Sequence, residues 1–315
     1  MKKIRLGVLG AGGLGKACLD ICKKKKDIVV TAICDSDGYL YSGKGISKND
    51  LKKKKPSKDP IGEIIKLKNR IDGIFIALPN LPNEFIPSVV KRFSDAGYKG
   101  VFTDAVKRTR AVKLMMKLDK NLKKNRSSYI TGCGATPGLL SAAAVLAAQS
   151  FIKVDDVNIW WGVGISNWDK YRATIREDIA HMPGYTVEKA KRLSDAEVEK
   201  ILNKRNGKLI LREMEHADDI LLKNTGVVDS LKKVSVGGVM DTRSSKKPVS
   251  TTMTLTGTTF EGKKSSHRFI LGDETSMAAN VVGPALGYLK RATWLKENKI
   301  YGMFGSTDFM PMVVK

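Results

Sequence analysis

The sequence has few residues of the kinds that commonly bind metals or form disulfides. Its 315 residues include three histidines and four cysteines, Cys18, Cys22, Cys34 and Cys133. None of the cysteines forms a CxxC pair, and no two histidines have the spacing of metal ligands. Cys18 and Cys22 lie one helical turn apart in an apolar stripe, which is typical of core thiols. We therefore predict no metal site and a reducing, cytoplasmic location.

Long apolar runs are also absent. The longest one, around residues 139–148, is short and rich in alanine. Near the N-terminus, a short apolar stretch is cut by glycines, and no small-residue cleavage site follows it. These features predict neither a membrane span nor a signal peptide.

Acidic residues are in the minority, since 56 Lys and Arg oppose 32 Asp and Glu, for a net charge of +24. Only 14 of the basic residues are arginines, although the planar guanidinium suits phosphate oxygens better than an ammonium does. The lysine runs at 23–26 and 52–55 contain no interleaved aromatics on which bases could stack. We attribute the excess to exposed positions and do not expect nucleic-acid binding.

The N-terminal segment contains a strand, a glycine turn, a helix and a second strand. Residues 4–9 and 28–34 are apolar and predict strands, and apolar residues at helical spacing lie between them. Asp35 ends the second strand, 20 residues after Gly15. The turn has the G-x-G-x-x-G pattern and consists of Gly10, Ala11, Gly12, Gly13, Leu14 and Gly15. This order is that of a Rossmann-type dinucleotide-binding domain.

Each glycine of such a turn has a physical role. The first glycine permits the tight turn, the second lets the backbone approach a pyrophosphate, and the third lets helix and strand pack closely. Asp35 would accept hydrogen bonds from the adenine ribose, which favours NAD(H). Ser36 beside it could bind the 2′-phosphate of NADP(H), so the choice between the two cofactors stays open.

The remaining pattern predicts an α/β chain with two domains. Residues 36–60 indicate a lysine-rich loop that contacts nothing in the cofactor site. Further strands are predicted at 73–78, 100–103 and 128–132, with helices at 60–69, 84–93, 105–124 and 139–149. We predict a Rossmann dinucleotide-binding domain over residues 1–145.

Beyond residue 150 the pattern changes to alternation. Residues 154–164, 233–239, 249–257 and 267–271 predict strands of a mostly antiparallel sheet, with a helical region at 187–202 between them. We predict an α+β substrate domain over 146–272. Small and large apolar residues in the predicted helix at 275–295 indicate that the C-terminal segment, 273–315, packs back on the first domain.

Ligands of open parallel sheets bind beyond the carboxyl ends of the strands. We therefore expect the glycine turn, Leu78 with Pro79, Gly134 and the segment 103–107 to meet near the cofactor. The side chain of Lys107 would then face the nicotinamide. It could hold a substrate carboxylate, donate a proton, or attack a carbonyl as a neutral amine, which requires a lowered pKa.

The three histidines differ in context. His216 lies among acidic residues in the sequence EMEHADD, which suits a general acid/base. His181 lies in a dense polar segment that could line a pocket, whereas His267 falls in an alternating strand and is expected to be structural.

Six motifs together resemble a known family. The glycine turn, VFTDAVKR at 101–108, GCGATPG at 132–138, EDIAHMPGY at 177–185, EMEHADD at 213–219 and GDETSMAAN at 272–280 are similar to the saccharopine-dehydrogenase-like oxidoreductases of cyanobacteria. Within that group the resemblance is to the single-use enzymes of biotin synthesis. It covers nearly the whole chain.

The resemblance implies a specific reaction. The substrates would be 8-amino-7-oxononanoate and carbon dioxide or bicarbonate, and the cofactor NADH/NAD or NADPH/NADP. Lys107 matches the lysine that gives its nitrogen to the product and ends as allysine, and His216 matches the catalytic histidine. Arg172, Arg176 or Arg243 could hold the substrate carboxylate.

Two alternatives stay open at this point. An ordinary multiple-turnover C–N dehydrogenase, of the saccharopine or carboxynorspermidine type, would use Lys107 as an acid/base or as an anchor. A basic Rossmann-fold binding protein would instead bind nucleic acid in a strongly salt-dependent way. We expect a homo-oligomer from the apolar long helix and the sheet face.

Overall fold

The computed structural model of the protein describes residues 3–80, 82–166, 168–272 and 276–315. The chain forms two compact units, one of residues 1–139 with 278–315 and one of residues 140–277. Among the described residues, no helix has both the length and the hydropathy needed to cross a membrane.

Strands and helices alternate through the first part of the chain. The strands are β1 Ile4–Leu9, β2 Ile28–Cys34, β3 Gly38–Tyr41, β4 Lys55–Pro56, β5 Gly73–Ile76, β6 Val101–Asp104, β7 Ser128–Thr131, β8 Phe151–Gly164, β9 Lys208–Leu211, β10 Val234–Asp241, β11 Thr251–Thr259, β12 Lys264–Leu271 and β13 Gly302–Gly305. The helices are α1 Gly13–Lys23, α2 Pro60–Lys66, α3 Phe85–Asp95, α4 Thr109–Met116, α5 Asp119–Lys124, α6 Leu139–Ala148, α7 Arg172–Ile179, α8 Val187–Arg192, α9 Asp195–Asn203, α10 Asp218–Asn224 and α11 Met277–Glu297. Short 3₁₀ turns occur at 48–53, 168–171 and 231–233.

The first unit contains an eight-stranded sheet in the order β13–β7–β6–β5–β1–β2–β3–β4. The strands from β13 to β2 are parallel, and β3 and β4 extend the sheet in antiparallel pairs. Strands β5, β6 and β7 are buried along their whole length, as expected for parallel strands covered on both faces. Their carboxyl ends lie at one edge of the sheet, and this edge positions the candidate site.

Helix α11 belongs to the core of the first unit. Its buried residues Val282, Leu286 and Leu289 join the same apolar cluster as Leu6 of β1 and Phe75 of β5. The expected return of the C-terminal helix to the first domain is therefore confirmed. Strand β13, which follows α11 and pairs with β7, was not predicted because its sequence, GMFG, is short and has no alternation.

The second unit contains a five-stranded sheet in the order β12–β11–β8–β10–β9. Only the β8–β10 pair is parallel, and the other three pairs are antiparallel. Along β11, buried and half-buried residues alternate from Thr251 to Gly257, which is the pattern of a sheet with one covered face. The predicted combination of a parallel Rossmann sheet with a mostly antiparallel second sheet is confirmed.

The prediction of a loop over residues 36–60 is wrong. The chain reverses after β2 in a turn in which the N–H of Asp35 donates to the carbonyl of Gly38 at 3.0 Å, and β3 pairs back on β2. Strand β4 then pairs with β3. The Asp37–Gly38 dipeptide is a common hairpin signal. The short strands were nevertheless not predicted, because the many lysines that follow are typical of a loop.

Two predicted helices are interrupted. Residues 105–108 form a loop, and α4 and α5 follow as separate helices. The helical region at 187–202 is divided at Ser194, whose side chain accepts a hydrogen bond from the N–H of Glu197 and starts α9 with a capping box. The predicted start of the C-terminal helix at 275, like residues 273–275 of the GDETSMAAN motif, lies outside the described residues.

Candidate active site

The glycine turn between β1 and α1 has a conformation that depends on its glycines. Gly10 has φ +106°, and a Cβ there would come within 2.4 Å of the Ala77 carbonyl oxygen. A Cβ on Gly15 would meet the Gly10 carbonyl oxygen at 1.9 Å, so helix and turn pack closely. A Cβ on Gly12 would meet no atom within 4 Å. The middle glycine therefore leaves open space in front of the backbone, where a pyrophosphate is bound in this fold.

The three other residues that the pattern placed in this turn are Ala11, Gly13 and Leu14. Ala11 is buried, and Leu14 packs against the apolar cluster of the first unit. Gly13 begins α1, and no side chain caps that helix. The first N–H groups of α1 are thus available to an anion at the turn.

Asp35 lies directly after β2, at the same edge of the sheet. Its Oδ1 accepts hydrogen bonds from the N–H groups of Asp37 at 3.0 Å and Gly38 at 3.3 Å. Its Oδ2 accepts a hydrogen bond from the ammonium of Lys54. Ser36 is exposed, and its hydroxyl donates to Asp37 at 2.9 Å. Lys54 of the lysine-rich segment therefore contacts Asp35, a predicted cofactor residue, contrary to the sequence prediction.

Lys107 lies in the loop after β6 and is half-buried. Its backbone N–H donates to the Oδ1 of Asn80 at 3.0 Å. Asn80 belongs to the segment after β5, which also contains the half-buried Leu78 and the exposed Pro79. This bond joins the loops at the ends of two neighbouring strands and fixes the backbone that carries the Lys107 side chain.

Asp104 is the last residue of β6 and is fully buried. Its Oδ1 accepts hydrogen bonds from the N–H groups of Val106 at 3.0 Å and Gly132 at 2.7 Å. Its Oδ2 accepts from the hydroxyls of Thr131 at 2.6 Å and Tyr129. Burial raises the pKa of the Asp104 carboxyl, and hydrogen bonds from Thr131 and Tyr129 oppose that rise. Asp104 thus fixes the loop before Lys107 and the turn after β7 together.

Gly134 lies in the segment that follows β7 and is buried. Its carbonyl accepts a hydrogen bond from the N–H of Leu139 at 3.0 Å, and it pairs with Gly138 in an isolated bridge. A Cβ on Gly138 would come within 2.1 Å of the Gly134 carbonyl oxygen. The two glycines therefore permit a tight loop at the same sheet edge as Lys107.

His216 belongs to the second unit and is buried, with 3% exposure. Its Nδ1 lies 2.7 Å from Oδ2 of Asp218, which is itself fully buried. The other oxygen of Asp218 accepts a hydrogen bond from the hydroxyl of Ser141 on α6. A neutral His216 that donates from Nδ1 to this carboxylate has Nε2 as its unprotonated ring nitrogen.

The sequence identified His216 but not its partners. Asp218 was one of four nearby acids, and Ser141 is 77 residues away from it in the chain. The only available signal was a polar residue in the apolar, alanine-rich α6, which is unusual unless its hydroxyl is bonded.

The other polar candidates have protein partners. Arg172 and Arg176 both form ion pairs with Asp195, and Arg243 donates to the side chain of Asn203. His267 lies on β12 and makes an edge-to-face contact with the ring of Phe151, with centroids 5.1 Å apart.

His181 follows α7 and is half-buried. All four cysteines are buried, and burial raises the pKa of Cys34 to about 12. No group of three or more metal-ligating side chains occurs in the described part of the chain.

The comparison with known proteins gives one strong relative. The chain is 38% identical, over 352 aligned positions, to (S)-8-amino-7-oxononanoate synthase BioU of Haloferax mediterranei, and the alignment covers 99% of each protein. No family model matches the chain.

Solved structures share the fold at low identity. Diaminopimelate (DAP) dehydrogenase of C. glutamicum, solved with DAP, has a TM-score of 0.60 at 16% identity and covers 100% of this chain and 95% of its own. Saccharopine dehydrogenase of Saccharomyces cerevisiae has a TM-score of 0.61 at 11% identity, with 96% and 94% covered. An engineered D-amino acid dehydrogenase bound to NADP⁺ has a TM-score of 0.57 at 15% identity, with 100% and 95% covered.

The glycine turn, the acidic residue after β2 and the loops at the sheet edge fit a dinucleotide, and the similarity to the curated relative extends through both units. The chain therefore belongs to the BioU family of biotin-biosynthesis enzymes and has the fold of the amino-acid dehydrogenases.

Proposed function

We propose that the protein converts 8-amino-7-oxononanoate into the carbamate of 7,8-diaminononanoate, that Lys107 supplies the nitrogen, and that each chain works once. The observation that carries this proposal is the placement of Lys107. It lies on a loop held by Asn80 and Asp104, at the carboxyl edge of the sheet, where the glycine turn follows β1. The name of the curated relative, which includes 8-amino-7-oxononanoate, supports the choice of compound.

The cofactor would be held by the glycine turn with Leu78, Pro79 and Gly134, and by the corner at Asp35 and Ser36. A nicotinamide dinucleotide, NADH or NADPH, supplies a hydride there and accepts one back. Because one hydride is given and one is taken, the cofactor ends in its starting state.

The proposed reaction balances through Lys107. Its neutral amine attacks the ketone carbon and water leaves, which forms an imine. Hydride addition reduces this imine to a secondary amine, and carbon dioxide joins the neighbouring amine of the substrate as a carbamate. Hydride removal from Cε of Lys107 then forms a second imine. Hydrolysis of this imine releases the diamine carbamate and leaves residue 107 as an aldehyde.

The remaining residues move protons and fix positions. His216 serves as the proton shuttle through Nε2, because Asp218 holds the proton on Nδ1. Asp104 and Asn80 hold the backbone of the Lys107 loop, so the flexible four-carbon side chain starts from a fixed point.

The number of product molecules per chain tests the proposal directly. Purified protein is mixed with excess 8-amino-7-oxononanoate, bicarbonate and reduced cofactor, and the diamine is quantified at several protein concentrations. We expect product to stop at one molecule per chain and to scale with protein rather than with time.

The multiple-turnover alternative predicts a different course. An ordinary C–N dehydrogenase would form product in large excess over protein and would consume one reduced cofactor per product. Either result would contradict the single use of Lys107, while leaving the fold and the dinucleotide site in place.

A further inference from the structure

Lys54 differs from the other lysines of its run at 52–55. Lys53 is 74% exposed and pairs with Asp50 on the surface, whereas the Lys54 side chain is only 19% exposed. Its ammonium bonds Oδ2 of Asp35 and lies 4.0 Å from Oδ2 of Asp37. One lysine of a run that otherwise faces solvent is therefore placed at the position where the adenine ribose is bound in this fold.

The backbone fixes this placement. Lys54 immediately precedes β4, in which Lys55 pairs with Tyr39 and Pro56 pairs with Gly38. The strands approach so closely that a Cβ on Gly38 would lie 2.1 Å from the Lys55 carbonyl oxygen. The position of Lys54 next to Asp35 thus follows from strand pairing rather than from a flexible surface contact.

Lys54 changes what Asp35 can do. A free carboxylate at this position accepts hydrogen bonds from the ribose hydroxyls and repels a 2′-phosphate. Here Oδ1 already accepts two backbone hydrogen bonds and Oδ2 accepts one from the ammonium. The ion pair offsets the negative charge of Asp35, and the ammonium of Lys54 lies at the rim as a cationic donor, next to the exposed Ser36.

We infer that Lys54 forms the subsite for a 2′-phosphate, so that the protein binds NADP(H) in preference to NAD(H). A dianionic phosphate attracts the ammonium more strongly than the single charge of Asp35 does, and Lys54 can turn from one to the other on its long side chain. The inference rests on dinucleotide binding, which is part of the proposed function. It assigns Lys54 as the residue that determines cofactor specificity.

A pair of adenosine nucleotides tests the inference without any hydride transfer. 2′,5′-ADP and 5′-ADP differ only in the 2′-phosphate, and their dissociation constants are measured by titration calorimetry. We expect the wild-type protein to bind 2′,5′-ADP at least about tenfold more tightly than 5′-ADP. Lys54→Met should lose this preference, and binding of 5′-ADP should become tighter because Asp35 is released to the ribose.

Matched variants distinguish a specific role of Lys54 from a general effect of positive charge on nucleotide binding. Lys55→Met removes the same charge from an exposed neighbour and should leave the preference intact, and Lys54→Arg should retain it. Thermal unfolding of each variant shows that it is folded before its binding is compared.

Three outcomes would overturn the inference. One is equal or tighter binding of 5′-ADP by the wild type, and another is an equal loss of 2′,5′-ADP binding in Lys54→Met and Lys55→Met. In both of these cases the dinucleotide site itself stands. Failure of the wild type to bind either nucleotide would overturn both the inference and the proposed dinucleotide site.

Discussion

Two aspartates at the same edge of the first sheet each come at the end of an apolar strand, but their environments differ. Asp35 follows the apolar residues of β2, and Asp104 ends the apolar strand β6. Asp35 is 23% exposed and pairs with the ammonium of Lys54, whereas Asp104 is fully buried and accepts four hydrogen bonds from neutral donors. The same pattern of strand followed by acid therefore produces two kinds of site.

The difference follows from what surrounds each carboxylate. At Asp35 the charge is balanced by a cation and faces solvent, so an incoming ligand can exchange partners with it. At Asp104 the donors belong to β7, to Gly132 directly after it and to the loop of Lys107, so the carboxylate holds the backbone and does not exchange. These environments fit the proposed roles, with cofactor recognition at Asp35 and positioning of Lys107 at Asp104.

The largest effect should come from Lys107, the proposed amino donor. Lys107→Arg keeps the positive charge and the length of the side chain but removes a nucleophilic amine, because the guanidinium stays protonated. We expect no diamine product in a single-turnover assay. Lys113→Arg, on the exposed side of α4, is the control and should retain full product; a productive Lys107→Arg protein would contradict the role of the amine.

The next effect should come from a third carboxylate, Asp218, which pairs with the imidazole of His216. In Asp218→Asn the amide can donate to Nδ1 of His216, which moves the ring proton to Nε2 and removes the base. We expect the single-turnover rate to fall by about 10²-fold or more, with a changed pH profile. Asp229→Asn, at an exposed surface pair, should keep both the rate and the profile. An unchanged profile in Asp218→Asn would reduce Asp218 to a structural role.

The positioning role of Asp104 predicts a loss of stability. Asp104→Ala leaves two buried N–H groups and two hydroxyls without their acceptor, and we expect a decrease of about 3 kcal/mol in the free energy of unfolding. Asp95→Ala breaks only an exposed ion pair with Lys91 and should change it by about 0.5 kcal/mol or less. Denaturant unfolding measures both. Equal losses of stability in the two variants would contradict the difference between buried and exposed carboxylates.

The smallest expected effect is the pH dependence of that stability. Burial raises the pKa of Asp104, so the folded state binds more protons than the unfolded state between the ordinary and the raised pKa. The contribution of this group to stability is therefore complete below the ordinary range near pH 4 and decreases as the pH rises through the folded-state pKa. Asp104→Asn should thus gain stability relative to the wild type as the pH increases across that window. A relative loss over the same window would mean that the hydrogen bonds hold the pKa below its ordinary value.

The sequence predicted those parts of the site that depend on local signals. The glycine turn was predictable because the conformations of Gly10 and Gly15 leave no room for a side chain, and the buried strands were visible as short apolar runs. The position of Lys107 after such a strand was predictable for the same reason.

The partners of the charged residues could not be predicted in this way. Lys54 reaches Asp35 through pairing of two short strands in a segment dominated by lysines, and Ser141 reaches Asp218 across 77 residues. A single sequence contains no periodicity that indicates such contacts, since they depend on how the fold brings distant segments of the chain together.

The origin of the product nitrogen tests the central claim most directly. Protein labelled with ¹⁵N at the side-chain amine of lysine is allowed to react with unlabelled 8-amino-7-oxononanoate, and the diamine is examined by mass spectrometry. The proposal predicts one ¹⁵N atom in every product molecule and an aldehyde at residue 107. A product without ¹⁵N, with Lys107 intact, would contradict it.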